Sequence, residues 1–317
     1  MPEVAHHELC VLYGEELREY GFPAPHPFGR QRLPAFWEEF LRRQLDLKCG
    51  IEAPDPCDEE TLISFHSHGY VEQVKSASQS GSGFLDYGDT PAFKGVFEAA
   101  RLVVGSTLKA ARLVMEGKYR RAFCPIGGLH HARRDRAGGF CVFNDIGVAI
   151  EVLRRDYGLR RIAYVDIDAH HGDGVYYAYE SDPDIFIADI HEDGRFLYPG
   201  TGSAEEIGKG AASGTKINFP LEPQAGNSEF MKAFEEVEKF IECGSPEIIL
   251  LQCGADSVTD DPIAELDFDE SCHAHAARSL RKLADKSAEG RLIAMGGGGY
   301  DLKNIAHAWC EVVHALE

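Results

Sequence analysis

The nine cysteines of this 317-residue chain include no CxxC pair, and their number is odd. A disulfide framework is therefore not expected, and reduced thiols are. No stretch approaches the apolar length that spans a bilayer, and residues 1–12 carry charge without the apolar core of a secretory signal. The expectation is a cytoplasmic protein with no membrane partner. Basic residues are scarce, 32 Lys and Arg against 52 Asp and Glu, for a formal net charge of −20. A nucleic-acid-binding face needs clustered Lys and Arg, so nucleic acid is not an expected partner. The surplus of acid favours cationic partners or simply a self-repelling, soluble surface. The glycine run at residues 296–299 lacks the Lys-Ser/Thr ending of a P-loop, and the G-x-G-x-x-G spacing is absent. Nor does any repeat, low-complexity tract or linker divide the chain, so residues 1–317 are expected to form a single domain with a large core.

What the chain does contain is strand–helix alternation. Short apolar runs at residues 8–13, 121–126, 161–166, 185–190, 247–251 and 291–295 read as buried strands. Helical spacing appears over residues 33–47, 68–77, 93–115, 142–155, 230–242, 271–287 and 302–316. Pro23, Pro25 and Pro27 mark a loop, residues 54–60 a Pro/Asp turn, and residues 78–89 and 200–214 Gly/Ser-rich loops. Alternation from residue 121 onward predicts an α/β fold with a parallel sheet and helices on both faces.

Chemistry gathers where these strands end. The run Arg161-Ile-Ala-Tyr-Val-Asp-Ile-Asp-Ala-His-His-Gly-Asp-Gly174 passes straight from apolar residues into carboxylates and imidazoles. Asp166, Asp168 and His170 sit at alternate positions, so an extended backbone points all three to one side. Three other strands end in His130-His131, in Cys253-Gly254-Ala255-Asp256, and in the four glycines before Tyr300. In an open α/β sheet such endings share one crevice. Asp168, His170 and Asp256 then offer the oxygen and nitrogen donors of a divalent metal site. Three protein ligands leave a coordination position open, as catalytic zinc requires. A hydrogen-bonded Asp/His cluster is the plainer alternative. His130 and His131 each need a partner to fix a tautomer, and Asp166 and Asp173 are acids not required as ligands. An imidazole so backed can move a proton between water and a leaving group. The Tyr300 hydroxyl can donate to a carbonyl oxygen on which charge builds. Together these are the means of hydrolysing an amide.

The chain resembles the zinc-dependent histone deacetylase superfamily, including its bacterial and archaeal acetoin-utilisation-type members. The resemblance rests on Gly127-Gly-Leu-His-His-Ala132, Gly139-Phe-Cys-Val-Phe-Asn-Asp145, Asp166-Ile-Asp-Ala-His-His-Gly-Asp-Gly174, Tyr198-Pro-Gly-Thr-Gly202, Gly254-Ala-Asp-Ser257 and Gly297-Gly-Gly-Tyr300, in that order. It implies the arginase/deacetylase fold, a three-layer α/β sandwich on a mostly parallel eight-stranded sheet. It assigns Zn2+ to Asp168, His170 and Asp256, with Fe2+ chemically tolerable there. His131, supported by Asp173, is implied as general base and acid; His130, supported by Asp166, as an electrostatic stabiliser; Tyr300 as the residue polarising the acyl carbonyl.

Gly139, Phe140 and Tyr198 are implied to line a tunnel for a lysine stem. Asp89 matches a rim acid that grips the substrate backbone, and Arg32 an arginine of an internal channel beneath the metal. Leu129 falls where relatives vary and so sets room around the acyl group. Tyr198 replaces the Phe common on that wall. A structural K+ is implied near the main chain of Asp166, Asp168 and His170, where Asp189 replaces a frequent Ser. Ile263 is apolar at a rim position where polyamine deacetylases can carry an acid. The implied activity is removal of acetyl or related acyl groups from lysine in proteins or peptides. The alternatives are deacylation of acetylpolyamines or other small acylated amines and, further off, arginase-like chemistry on two manganese ions.

Overall fold

The computed structural model describes residues 7–317; the first half of the charged N-terminal stretch, residues 1–6, lies outside them. Among the described residues the strands are β1 (Leu9–Leu12), β2 (Gly50–Glu52), β3 (Arg121–Cys124), β4 (Ile162–Asp166), β5 (Ile185–Glu192), β6 (Lys216–Leu221), β7 (Ile248–Gln252) and β8 (Leu292–Met295). They form one sheet in the order β2-β1-β3-β8-β7-β4-β5-β6, with every neighbouring pair parallel. The helices are α1 (Arg32–Arg42), α2 (Glu59–Ile63), α3 (His68–Ser80), α4 (Val96–Met115), α5 (Asp145–Tyr157), α6 (Asp173–Tyr179), α7 (Asn227–Gly244), α8 (Glu270–Ser287) and α9 (Leu302–Leu316).

A parallel sheet covered on both faces needs strands that are apolar on both. Ile162, Ala163, Tyr164 and Val165 of β4 are all completely buried, but they divide between two cores. Ile162 and Tyr164 join Ile248, Leu250 and Ile293 under α3, α4 and α5. Ala163 and Val165 join Ile249, Leu251 and Ala294 under α1, α7, α8 and α9. The period of two along each strand thus builds the three-layer sandwich directly.

Connectivity then sets the site. The chain leaves β3 and re-enters the sheet as β4 three places away; β7 and β8 later fill the two places between. The four strands that end in polar or glycine-rich residues are therefore contiguous, β3-β8-β7-β4, with their carboxyl ends on one edge. A reversal of strand order of this kind opens a ligand crevice.

Several elements depart from the sequence reading. The edge strands β2 and β6 escape it: β2 has only three residues with Ile51 exposed, and β6 is half-buried and contains Pro220, which an edge tolerates. Within residues 54–60, expected to be a turn, α2 already begins, capped by Asp58, whose side chain accepts from the Thr61 amide. The expected helix over 33–47 stops at Arg42 and resumes as a separate 3-10 turn, Leu45–Leu47. Helix α6, which begins at the Asp of the His-His-Gly-Asp run, carries no long apolar pattern and is absent from the sequence reading.

Candidate metal centre and active site

Strand β4 ends at Asp166, so the expectation of extended backbone through His170 is not met. The three side chains converge by another route. Asp166 Oδ1 accepts the Asp168 amide at 3.1 Å, and Asp168 Oδ1 accepts the His170 amide at 3.0 Å. Each acid thereby folds the chain two residues ahead of it, a turn Asp makes readily. Asp256 arrives on a 3-10 turn, Ala255–Ser257, at the end of β7, and accepts the Ala169 amide at 3.0 Å.

One donor atom from each of Asp168, His170 and Asp256 lies within 4.8 Å of the other two, and all three residues are buried. His170 Nδ1 stands 3.0 Å from Asp168 Oδ1 and 3.1 Å from Asp256 Oδ2. Burial raises the Asp256 carboxyl to about 7, with Asp168 adding to the shift. Burial alone would lower His170, but its two carboxylate partners raise it to about 10. Two buried acids thus compete for a single positive charge. A dication held by the same three atoms relieves that competition, and two carboxylates with one imidazole suit zinc. The second Asp168 oxygen is occupied by Gln252 Nε2 at 2.7 Å and the Gly298 amide at 2.8 Å, so only one faces the proposed ion. A side chain at position 298 would run into the Asp256 and Asp168 carboxylates.

The two neighbouring histidines follow β3. Their ring centroids are 4.0 Å apart, yet each has its own acid. His130 Nδ1 donates to Asp166 Oδ2 at 2.7 Å, and His131 Nδ1 donates to Asp173 Oδ1 at 2.8 Å. Their electrostatics diverge. Burial works against a charged His130, but Asp166 and Asp168 outweigh it and raise the ring to about 9. His131 is lowered to about 4, by burial and then by the neighbouring His130. One imidazole is thus cationic and the other a neutral acceptor near pH 7.

Tyr300 is partly buried at the end of the glycine run, and burial with the nearby Asp256 and Asp168 holds its phenol well above the usual range. Its amide donates to Asp261 Oδ2 at 2.9 Å. The Phe140 ring meets Tyr300 at 5.8 Å, and Tyr198 meets His131 at 5.0 Å. Between them Gly139 has φ +51°, and any side chain there would strike both His131 and Tyr198.

The remaining expected positions divide between the rim and the interior. Asp89 is exposed, in a loop tied down by His26 Nε2 donating to its carbonyl at 3.1 Å. Ile263 is half-buried, its amide bonded to Asp261 Oδ1 at 2.9 Å. Leu129 and Arg32 are buried. Arg32 donates to the carbonyls of Gly297 and Gly299, lies 3.9 Å from the centroid of the Phe28 ring, and keeps Nη1 without a partner. Asp189 accepts the Gly172 amide at 2.9 Å and pairs with His191 Nδ1 at 2.6 Å.

The reading from sequence missed the supports. Asn144 caps α5, accepting the Gly147 amide at 2.8 Å, and donates to the Ala132 carbonyl at 2.8 Å. Asp145 accepts the amides of Gly128 at 3.0 Å and Leu129 at 2.8 Å, and the Thr107 hydroxyl at 2.5 Å. Both lie in the Phe143-Asn144-Asp145 stretch, where an Asn-Asp pair suited to the N-cap and first position of a helix was the available signal. Asp145→Ala strands two buried amides of the loop that carries His130. It is expected to destabilise the protein by about 2–5 kcal/mol, seen as a lower urea midpoint at unchanged slope.

Residues 26–316 match a family model described as a histone deacetylase domain. The chain is 36% identical over 317 residues to the acetoin utilization protein AcuC of Bacillus subtilis (strain 168), covering 96% of this chain and 81% of that one. To the protein of the same name from Staphylococcus aureus (strain MRSA252) it is 34% identical over 322 residues, covering 98% and 82%. Among solved structures, the crystal structure of the HDA15 HD domain superposes with a TM-score of 0.90 at 25% identity, covering 98% of this chain and 88% of that one.

Proposed function

The chain belongs to the histone deacetylase family, and from that footing we propose that it removes acetyl or related acyl groups from the ε-amine of lysine in proteins or peptides. The family and its relatives support a deacetylase hydrolase; lysine as substrate and zinc as metal are our reading. The observation that carries it is the meeting of Asp168, His170 and Asp256 with two acid-backed imidazoles at one strand edge. When bound, a divalent ion at the three ligands supplies positive charge that acidifies water and polarises the acyl carbonyl.

The chain's own residues do the rest. His131, with Nδ1 committed to Asp173, has only Nε2 free to accept the proton of the attacking water. The water oxygen bonds to the acyl carbon, the carbon–nitrogen bond breaks, and the same Nε2 returns the proton to the departing amine. His130 contributes charge through the transition state. The Tyr300 hydroxyl donates to the carbonyl oxygen as it becomes negative. Gly139, Phe140 and Tyr198 hold the lysine stem, and Asp89 and Ile263 meet the substrate outside. Leu129 and Arg32 border the space for the acyl group and its product. A K+ beside the main chain of Asp166, Asp168 and His170 belongs to the same reading, with the Asp189 carboxylate in place of a hydroxyl. The reading also places the protein in the cytoplasm, to which nine free cysteines are suited; among the described residues no helix is long and apolar enough to cross a membrane.

The test is kcat/KM for zinc-loaded protein on acetyl-lysine peptides, longer acyl-lysine peptides and acetylated polyamines at matched concentrations. Acetyl-lysine or another acyl-lysine is expected to lead; a polyamine in first place would overturn the substrate assignment. Tyr300→Phe is expected to lower kcat about a hundredfold with little change in KM. Equal rates of acetate release would remove Tyr300 from the mechanism.

A further inference from the structure

Asp173 is bonded through both of its oxygens, and only one of the bonds comes from His131. Oδ1 accepts His131 Nδ1 at 2.8 Å, while Oδ2 accepts Arg133 Nη2 at 2.7 Å and Nε at 3.3 Å. We propose that Arg133 is a positioning residue for His131: it clamps Asp173 in one plane and so holds the imidazole in one tautomer and one orientation. The inference rests on the deacetylase reading given above, in which His131 moves the proton.

A carboxylate with a single partner turns about its Cβ–Cγ bond and drags that partner with it. The rigid guanidinium fork removes this freedom, as a single ammonium or a water does less well. Arg133 is itself secured. Its carbonyl accepts His66 Nδ1 at 3.0 Å, its amide donates to the Arg136 carbonyl at 2.9 Å, and its guanidinium lies 5.1 Å from the centroid of the Tyr177 ring. The His130 arm is built differently. Asp166 is held by the Tyr164 hydroxyl and the Asp168 amide, with no basic side chain bonded to it apart from His130. Among the described residues, the arginine clamp belongs to the histidine that must accept and release a proton, not to the one whose task is to stay charged.

Exposure separates this from an ordinary surface ion pair. The Arg133 side chain is 33% exposed but that of Asp173 only 4%. An exposed pair contributes little; here the acid is buried and its other partner is a neutral ring. Burial would raise Asp173, and its bonds to His131 and Arg133 bring it down to about 2. The pairing therefore preserves an anion at the position where His131 Nδ1 must donate.

The experiment uses the zinc-loaded full chain with Arg133→Met, which keeps bulk without charge, and Arg133→Lys, which keeps charge without the fork. The first readout needs no turnover. The His131 Nδ1 proton, assigned by its loss in His131→Ala, is followed by proton NMR. It is expected to exchange with solvent about tenfold faster or more in Arg133→Met, and to be largely restored in Arg133→Lys. The second is a split of rate constants: kcat about tenfold lower in Arg133→Met at a KM within about twofold, with recovery in Arg133→Lys. An unchanged Nδ1 exchange rate in Arg133→Met overturns the proposal. Should Arg133→Met fail to fold, Arg133→Gln is measured in its place against the same criteria. An intact protein that turns over no acylated amine defeats the deacetylase reading instead, and the exchange rates still decide the role of Arg133.

Discussion

His131→Ala is expected to lower kcat/KM by about three orders of magnitude while leaving the metal content of the protein unchanged. The size follows from how few alternatives the site offers. His130 is the nearest imidazole, but its Nδ1 is committed to Asp166, which favours the charged ring against burial and makes it the poorer proton acceptor. Asp173, left behind by the substitution, is anionic and bonded to Arg133, behind the position where water would be activated. No ligand of the proposed ion is touched, which is why metal content separates loss of proton transfer from collapse of the centre. A variant that keeps its metal and more than about a tenth of the activity would show that the proton travels by another route.

Asp256→Asn is expected to have the larger effect on composition. The intact chain should bind one divalent ion tightly; the variant should retain far less than one after dialysis, with kcat/KM down at least about a thousandfold. Asparagine keeps an oxygen for the Ala169 amide, so the 3-10 turn at residues 255–257 remains supported. What is lost is one of the two negative charges that balance the ion. Metal analysis and the urea midpoint, measured on the same sample, separate loss of the ion from loss of the fold. Stoichiometric metal in the variant would remove Asp256 from the ligand set. Two ions in the intact chain would favour the dinuclear, arginase-like alternative.

The candidate site was legible in the sequence because carboxylates and imidazoles crowd the ends of apolar strands, where nothing in folding calls for them. Asp168, His170 and Asp256 come together as that pattern predicts, whereas the pattern left the partners of the two histidines open, and the pairings found, His130 with Asp166 and His131 with Asp173, are those the family resemblance implied. The route by which they meet was less readable. The turns after Asp166 and Asp168 depend on side-chain oxygens capturing amides two residues on, and a period-two pattern looks the same as a strand. The supports were hidden for a different reason. Asn144, Asp145, Gln252 and Asp261 act on main-chain groups of other loops, and single polar residues carry no periodicity. Strands β2 and β6 were missed because an edge strand buries little and alternates weakly.

One neighbour of the site has an optical use. The chain has two tryptophans: Trp37 is half-buried and stacks on Tyr13 with ring centroids 3.5 Å apart, whereas Trp309 is wholly buried. Trp309 Nε1 donates to the Cys253 carbonyl at 3.2 Å, three residues before Asp256, and its indole lies 5.2 Å from the Arg32 guanidinium. An excited indole responds to charge at that range. The emission of Trp309, isolated in a Trp37→Phe background, should therefore register a carboxylate product settling beside Arg32, giving an unlabelled fluorescence signal for that event.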